Sequence, residues 1–90
     1  MGKLALKKES LDLVKAGLEI EKNILKLSVQ KYQSQLRAFE KKHKLSSEEF
    51  IKKFKEGKLG DDEEWFDWLF AYKAVNHSKQ KISNIKEIAF

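Results

Sequence analysis

Residues 10–43, SLDLVKAGLEIEKNILKLSVQKYQSQLRAFEKKH, decide the fold. Leu11, Leu18, Leu25, Tyr32 and Phe39 recur at intervals of seven, and Val14, Val29 and Leu36 fill the threes and fours between them. That period is one stripe of an α-helix, and at 1.5 Å per residue the segment makes a rod of about 50 Å. A strand reading of LDLV or LEIEK is the poorer alternative, because the flanks lack turn residues. A second series, Leu6, Leu13, Ile20 and Leu27, also recurs at seven, two residues out of step with the first and so about 200° round the helix. The first half of this helix is therefore apolar on two opposite sides and the second half on one. A helix apolar on both sides has to be covered from both sides. Either one compact bundle buries both sides, or the second face is kept for a second copy or another protein, with Leu13, Ile20, Ile24 and Leu27 as the candidate contact residues.

Downstream the sequence is well punctuated. Ser46 with Glu49 forms a capping box, Leu45 with Phe50 a hydrophobic staple, and Gly57 a left-handed helix end. These predict a second helix over residues 46–57, with Leu59 packing back beside it. Gly60 and Asp61 then open a third helix over residues 61–88, with Asp61 as N-cap and Glu64 as its box partner. Trp65, Trp68, Leu69, Tyr72, Val75 and Ile82 mark its apolar stripe, and Phe66 and Phe70 widen it. Ile85, Ile88 and Phe90 extend the pattern. The expected architecture is all-α and single-domain. A long first helix (10–43) leads to a short capped helix, and a third helix packs back antiparallel on the first. Phe50 and Phe54 plug the end.

Composition narrows the function. The chain has 90 residues, no cysteine, no proline, four glycines and a net charge of +5. The lack of cysteine removes disulfides, thiolate nucleophiles and Cys-ligated metals, and fits a reducing cytoplasm. A chain of this size buries only about 60% of its unfolded surface, which makes oligomerisation or a partner the expected route to stability. No apolar run is long enough to span a membrane. The opening MGKLALKKES carries no apolar core or cleavage site, and Leu6 stands where myristoylation needs Ser or Thr.

Charge is segregated. Residues 1–58 carry net +7, residues 59–72 net −5 and residues 73–90 net +3. The acidic stretch coincides with GDDEEWFDWLF, residues 60–70. There Asp61, Asp62, Glu63, Glu64 and Asp67 alternate with Trp65, Phe66, Trp68 and Phe70. Aromatic anchors framed by steering charge suit docking into a basic groove of a partner. The plainer alternative is a capped helix start whose rings are core, so each Trp belongs either to core or to interface. Glu63 and Asp67 share a helix face but lack calcium-loop spacing, and no metal or cofactor is expected. Lysines in residues 1–58 could follow phosphates, although interspersed Glu and a single arginine, Arg37, weaken a nucleic-acid reading. Arg37 and His43 together form an R-x5-H pair of the kind found in small helical ribonucleases of the HEPN type, but Ala38 follows the Arg where those enzymes carry a polar residue.

Residues 36–68, LRAFEKKHKLSSEEFIKKFKEGKLGDDEEWFDW, resemble a group of small helical archaeal and bacterial proteins treated as the antitoxin half of toxin–antitoxin modules. The likeness rests on Phe39, Glu40, Phe50, Phe54, Gly57, Leu59, Gly60, Asp61, Asp62, Trp65, Phe66 and Trp68. His43 replaces the usual Tyr and Leu45 the usual Met. The resemblance implies a non-enzymatic, cytoplasmic protein that binds and neutralises a cognate toxin encoded beside it. A homo-oligomeric adaptor and a small ribonuclease are the alternatives.

Overall fold

The computed structural model describes residues 8–88. Its elements are α1 (Lys8–His43), α2 (Ser47–Lys55) and α3 (Glu63–Lys86), with no strand among the described residues. The all-α class and the long–short–long order are as the sequence predicts. Helix α1 is already running at Lys8, two residues before the expected start at Ser10. Leu6 and Phe90 lie outside the described residues.

Antiparallel packing of α3 on α1 follows from the pairs that meet. Ser28 touches Ser78, Tyr32 meets Phe70, Phe39 meets Trp68, and His43 meets Trp65. Positions that rise along α1 pair with positions that fall along α3. The shorter α3 covers only part of α1. Its end reaches Leu18 and Lys22, which share a groove with Ile85 and Ile88. Val14, expected in the buried stripe, is 42% exposed. The result is a rod of 56 × 27 × 19 Å. Its radius of gyration is 18.6 Å, against about 12 Å for a compact domain of this length.

The connections follow local rules. Lys44 ends α1 in the left-handed region (φ 53°), and Leu45 N–H donates to the Glu40 carbonyl at 3.2 Å. Gly57 does the same for α2 (φ 70°), with Lys58 N–H donating to Lys53 O at 3.1 Å and Gly57 N–H to Phe54 O at 3.1 Å. Both are Schellman-type ends. Only the second places a glycine at the left-handed position. At the start of α2, Ser46 Oγ accepts from Glu49 N–H and donates to the Glu49 carboxylate, both at 3.1 Å. The α3 N-cap is Asp62, one residue later than expected: its Oδ1 accepts from Glu64 N–H at 3.0 Å. The shift frees the Glu64 side chain from capping.

The core sits at the α2 end of the rod. Leu36, Phe50, Trp68, Ala71 and Val75 form it, with Phe39, Leu45, Phe54, Leu59 and Trp65 packed around them. Phe50 lies flat on Trp68, with centroids 4.1 Å apart and planes within 2°. Phe39 and His43 stack on the same indole at 5.5 and 5.4 Å. Phe50 and Phe54 thus close the bundle end as expected, and Leu59 returns to the core.

Candidate functional site

Two surfaces carry the residues singled out from the sequence. The first is the acidic-aromatic start of α3. Asp61, Asp62, Glu63 and Asp67 are exposed, and Glu64 and Trp65 half-buried. Trp68 is wholly enclosed. The choice between core and interface therefore falls on core for Trp68, while Trp65 keeps an exposed edge. Phe66 and Phe70 do not simply widen the buried stripe. They are 54% and 60% exposed, each held edge-on by one ring, Phe54 at 5.7 Å and Tyr32 at 5.5 Å. Being one turn apart, they present two anchored rings side by side. Beside Phe70, Tyr32, Phe39, Gln35 and Asp67 line an open groove of about 400 Å³.

Beneath this surface a buried polar chain fixes the Trp68 ring. The indole Nε1–H donates to Ser47 Oγ at 2.9 Å, and that hydroxyl donates to Glu40 Oε2 at 2.8 Å. The same carboxylate oxygen accepts from Ser47 N–H at 2.8 Å. Glu40 thus joins the end of α1 to the start of α2, where its charge also suits the helix dipole. A buried indole needs an acceptor, and Ser47 supplies it. Neither Glu40 nor Ser47 was expected in this role.

A second polar joint links the helix ends. Lys42 Nζ donates to both Glu64 carboxylate oxygens at 2.9 and 3.0 Å. His43 Nε2 approaches the same carboxylate at 3.3 Å, outside hydrogen-bond geometry. Antiparallel packing brings the basic last turn of α1 against the acidic first turn of α3, so each charge also suits its own helix dipole. The Lys42 hydrogen bond holds the Glu64 carboxyl below its ordinary range, partial burial opposes this, and His43 adds to the lowering. His43 otherwise packs between Trp65 and Trp68. Arg37 is exposed and lines a different groove with Glu40, Tyr72 and Lys79. Six residues apart on a helix, Arg37 and His43 point to different sides. His77 is exposed.

The second surface is the outer side of α1. Leu13, Ile20, Ile24 and Leu27 are 75%, 61%, 55% and 64% exposed. The structure leaves this face uncovered, on the side of α1 away from α3. No group of three or more His, Cys, Asp or Glu suited to a metal occurs among the described residues, and no helix among them is long and apolar enough to cross a membrane. Comparison with protein-family models, curated proteins and solved structures gives no match.

Proposed function

We propose that this chain is a non-enzymatic protein-binding module of the antitoxin type, which docks on a cognate toxin and occludes a basic site. The observation that carries the reading is the pairing of exposed Phe66 and Phe70 with the exposed carboxylates Asp61, Asp62, Glu63 and Asp67. Large exposed rings are costly in water, and a pair of them rimmed by one sign of charge fits a docking surface with an apolar centre and a steering rim. The resemblance of residues 36–68 to antitoxins supports the choice of partner. Trp68 and the Glu40–Ser47 chain hold the α3 start rigid, and rigidity lowers the entropy lost on docking. Trp65 contributes its exposed edge.

The test is co-expression with the product of the adjacent gene. Growth rescue and a co-purifying complex are expected. Neither rescue nor complex would remove the reading. The uncovered side of α1 favours a second reading, a homo-oligomeric adaptor, which predicts tight self-association indifferent to the neighbouring protein.

A further inference from the structure

The groove beside Phe70 gathers groups that the rest of the docking surface lacks. Tyr32 from α1 and Phe70 from α3 meet there at 5.5 Å with their planes 74° apart, so two rings form a corner. Phe39, held by its stack on Trp68, lines the same groove and gives it a fixed side. Of the five carboxylates in residues 60–70, Asp67 alone lines it, and Gln35 brings an amide from α1. Both side chains are exposed, and neither has a hydrogen-bond or ion-pair partner among the described residues. Lys31 lines the groove too, with its ammonium 5.2 Å from the centre of the Tyr32 ring. The chain thus sets one of its own cations on this aromatic corner, drawn by the ring face. That cation sits on a long, exposed side chain, which an arriving group can displace.

Chemistry narrows the occupant. One carboxylate among rings supplies too few ligands for a calcium or magnesium ion. A purely apolar side chain would leave Asp67 and Gln35 facing it without partners. An ammonium is a compact point charge that keeps its water. A guanidinium is flat and weakly hydrated, stacks on rings, and donates in a fork to a carboxylate. A ring corner beside one carboxylate and one amide oxygen matches it group by group.

We propose that this groove is the specificity pocket of the docking surface and takes an arginine side chain of the partner protein. Its guanidinium stacks on Phe70 and donates to Asp67, and Lys31 swings away. Asp61, Asp62 and Glu63 lie outside the groove and supply the steering field. The proposal rests on the docking reading above for the protein that carries the arginine, but the pocket is testable without that protein.

The probe is a short blocked oligoarginine, titrated at low salt into the isotope-labelled full chain and followed by amide chemical shifts. An oligolysine of equal length is the control for charge. The arginine peptide should shift Gln35, Asp67 and Phe70 most, and bind at least about fivefold more tightly than the lysine peptide. Asp67→Asn and Phe70→Leu, both at exposed positions, should each weaken it at least about threefold, with helix content unchanged by circular dichroism. Lys31→Gln should tighten it, because the resident cation is gone. Equal affinity for the two peptides, shifts confined to other residues, a variant at Asp67 or Phe70 that binds like the parent, or no gain from Lys31→Gln overturns the proposal. If the arginine peptide binds here as expected while the product of the adjacent gene does not bind the chain, the toxin reading falls and the pocket stands.

Discussion

Ser47→Ala removes one hydroxyl and tests the polar chain that fixes Trp68. The indole N–H is enclosed with its residue at 0% exposure, and its acceptor is Ser47 Oγ at 2.9 Å. Deleting that acceptor strands a buried donor, which costs about 1–3 kcal/mol. Glu40 also loses a charge-assisted hydrogen bond but keeps the Ser47 N–H at 2.8 Å, so this second loss is partial. The expected total is about 2–3 kcal/mol, a large share of the stability of a chain this small. Urea unfolding followed by circular dichroism, at one fixed chain concentration, measures it. A cycle with Trp68→Phe isolates the pair: Phe has no donor to strand, so Ser47→Ala should cost about 1–2 kcal/mol less in that background. A cost below about 0.5 kcal/mol for Ser47→Ala in the parent, or full additivity with Trp68→Phe, would refute the claim that this chain orders the core.

Trp68→Ala should cost about 3–5 kcal/mol in the same assay and Trp65→Ala clearly less, because only the first ring is fully enclosed. Lys44→Gly should stabilise the chain by about 0.5–1 kcal/mol by relieving a left-handed lysine, and Gly57→Ala should destabilise it by about 1 kcal/mol; thermal melts give both. The Glu64 carboxyl is held below its ordinary value of 4.5, chiefly by Lys42. Its contribution is therefore complete above that value and is lost as pH falls through the lower folded pKa. The melting difference between the parent chain and Glu64→Gln should accordingly shrink on acidification; a gap that stays constant would separate Glu64 from acid stability.

Helix order, antiparallel return and the buried stripe were legible in the sequence because each rests on local rules. Period, caps and breakers act within a few residues, and Ser46, Glu49 and Gly57 all do what their spacing implies. The exposure of the second apolar face of α1 was legible for the same reason, since two apolar faces on one helix exceed what one short α3 can cover. The N-cap was misplaced because Asp61 and Asp62 are chemically equal candidates. With Asp62 as the cap, the Glu64 carboxylate meets Lys42 instead of closing a box at Asp61. Glu40–Ser47–Trp68 was not legible because its members are 7 and 21 residues apart, and only the folded hairpin unites them. The usable signal was chemical: a core Trp needs an acceptor, and Ser47 lay at a helix start close by. Phe66 and Phe70 read as core by periodicity, but among the described residues α3 packs against α1 and α2 alone, so its outer rings stay in water.

The central claim is that exposed Phe66 and Phe70, rimmed by Asp61, Asp62, Glu63 and Asp67, form a docking surface for a basic protein. Calorimetric titration of the product of the adjacent gene into the purified chain tests it most directly. The parent should bind with an affinity that falls as salt rises, and Phe66→Ala with Phe70→Ala should weaken binding at least about tenfold while the helices persist. Absence of binding by the parent, or equal affinity for the double variant, would contradict it.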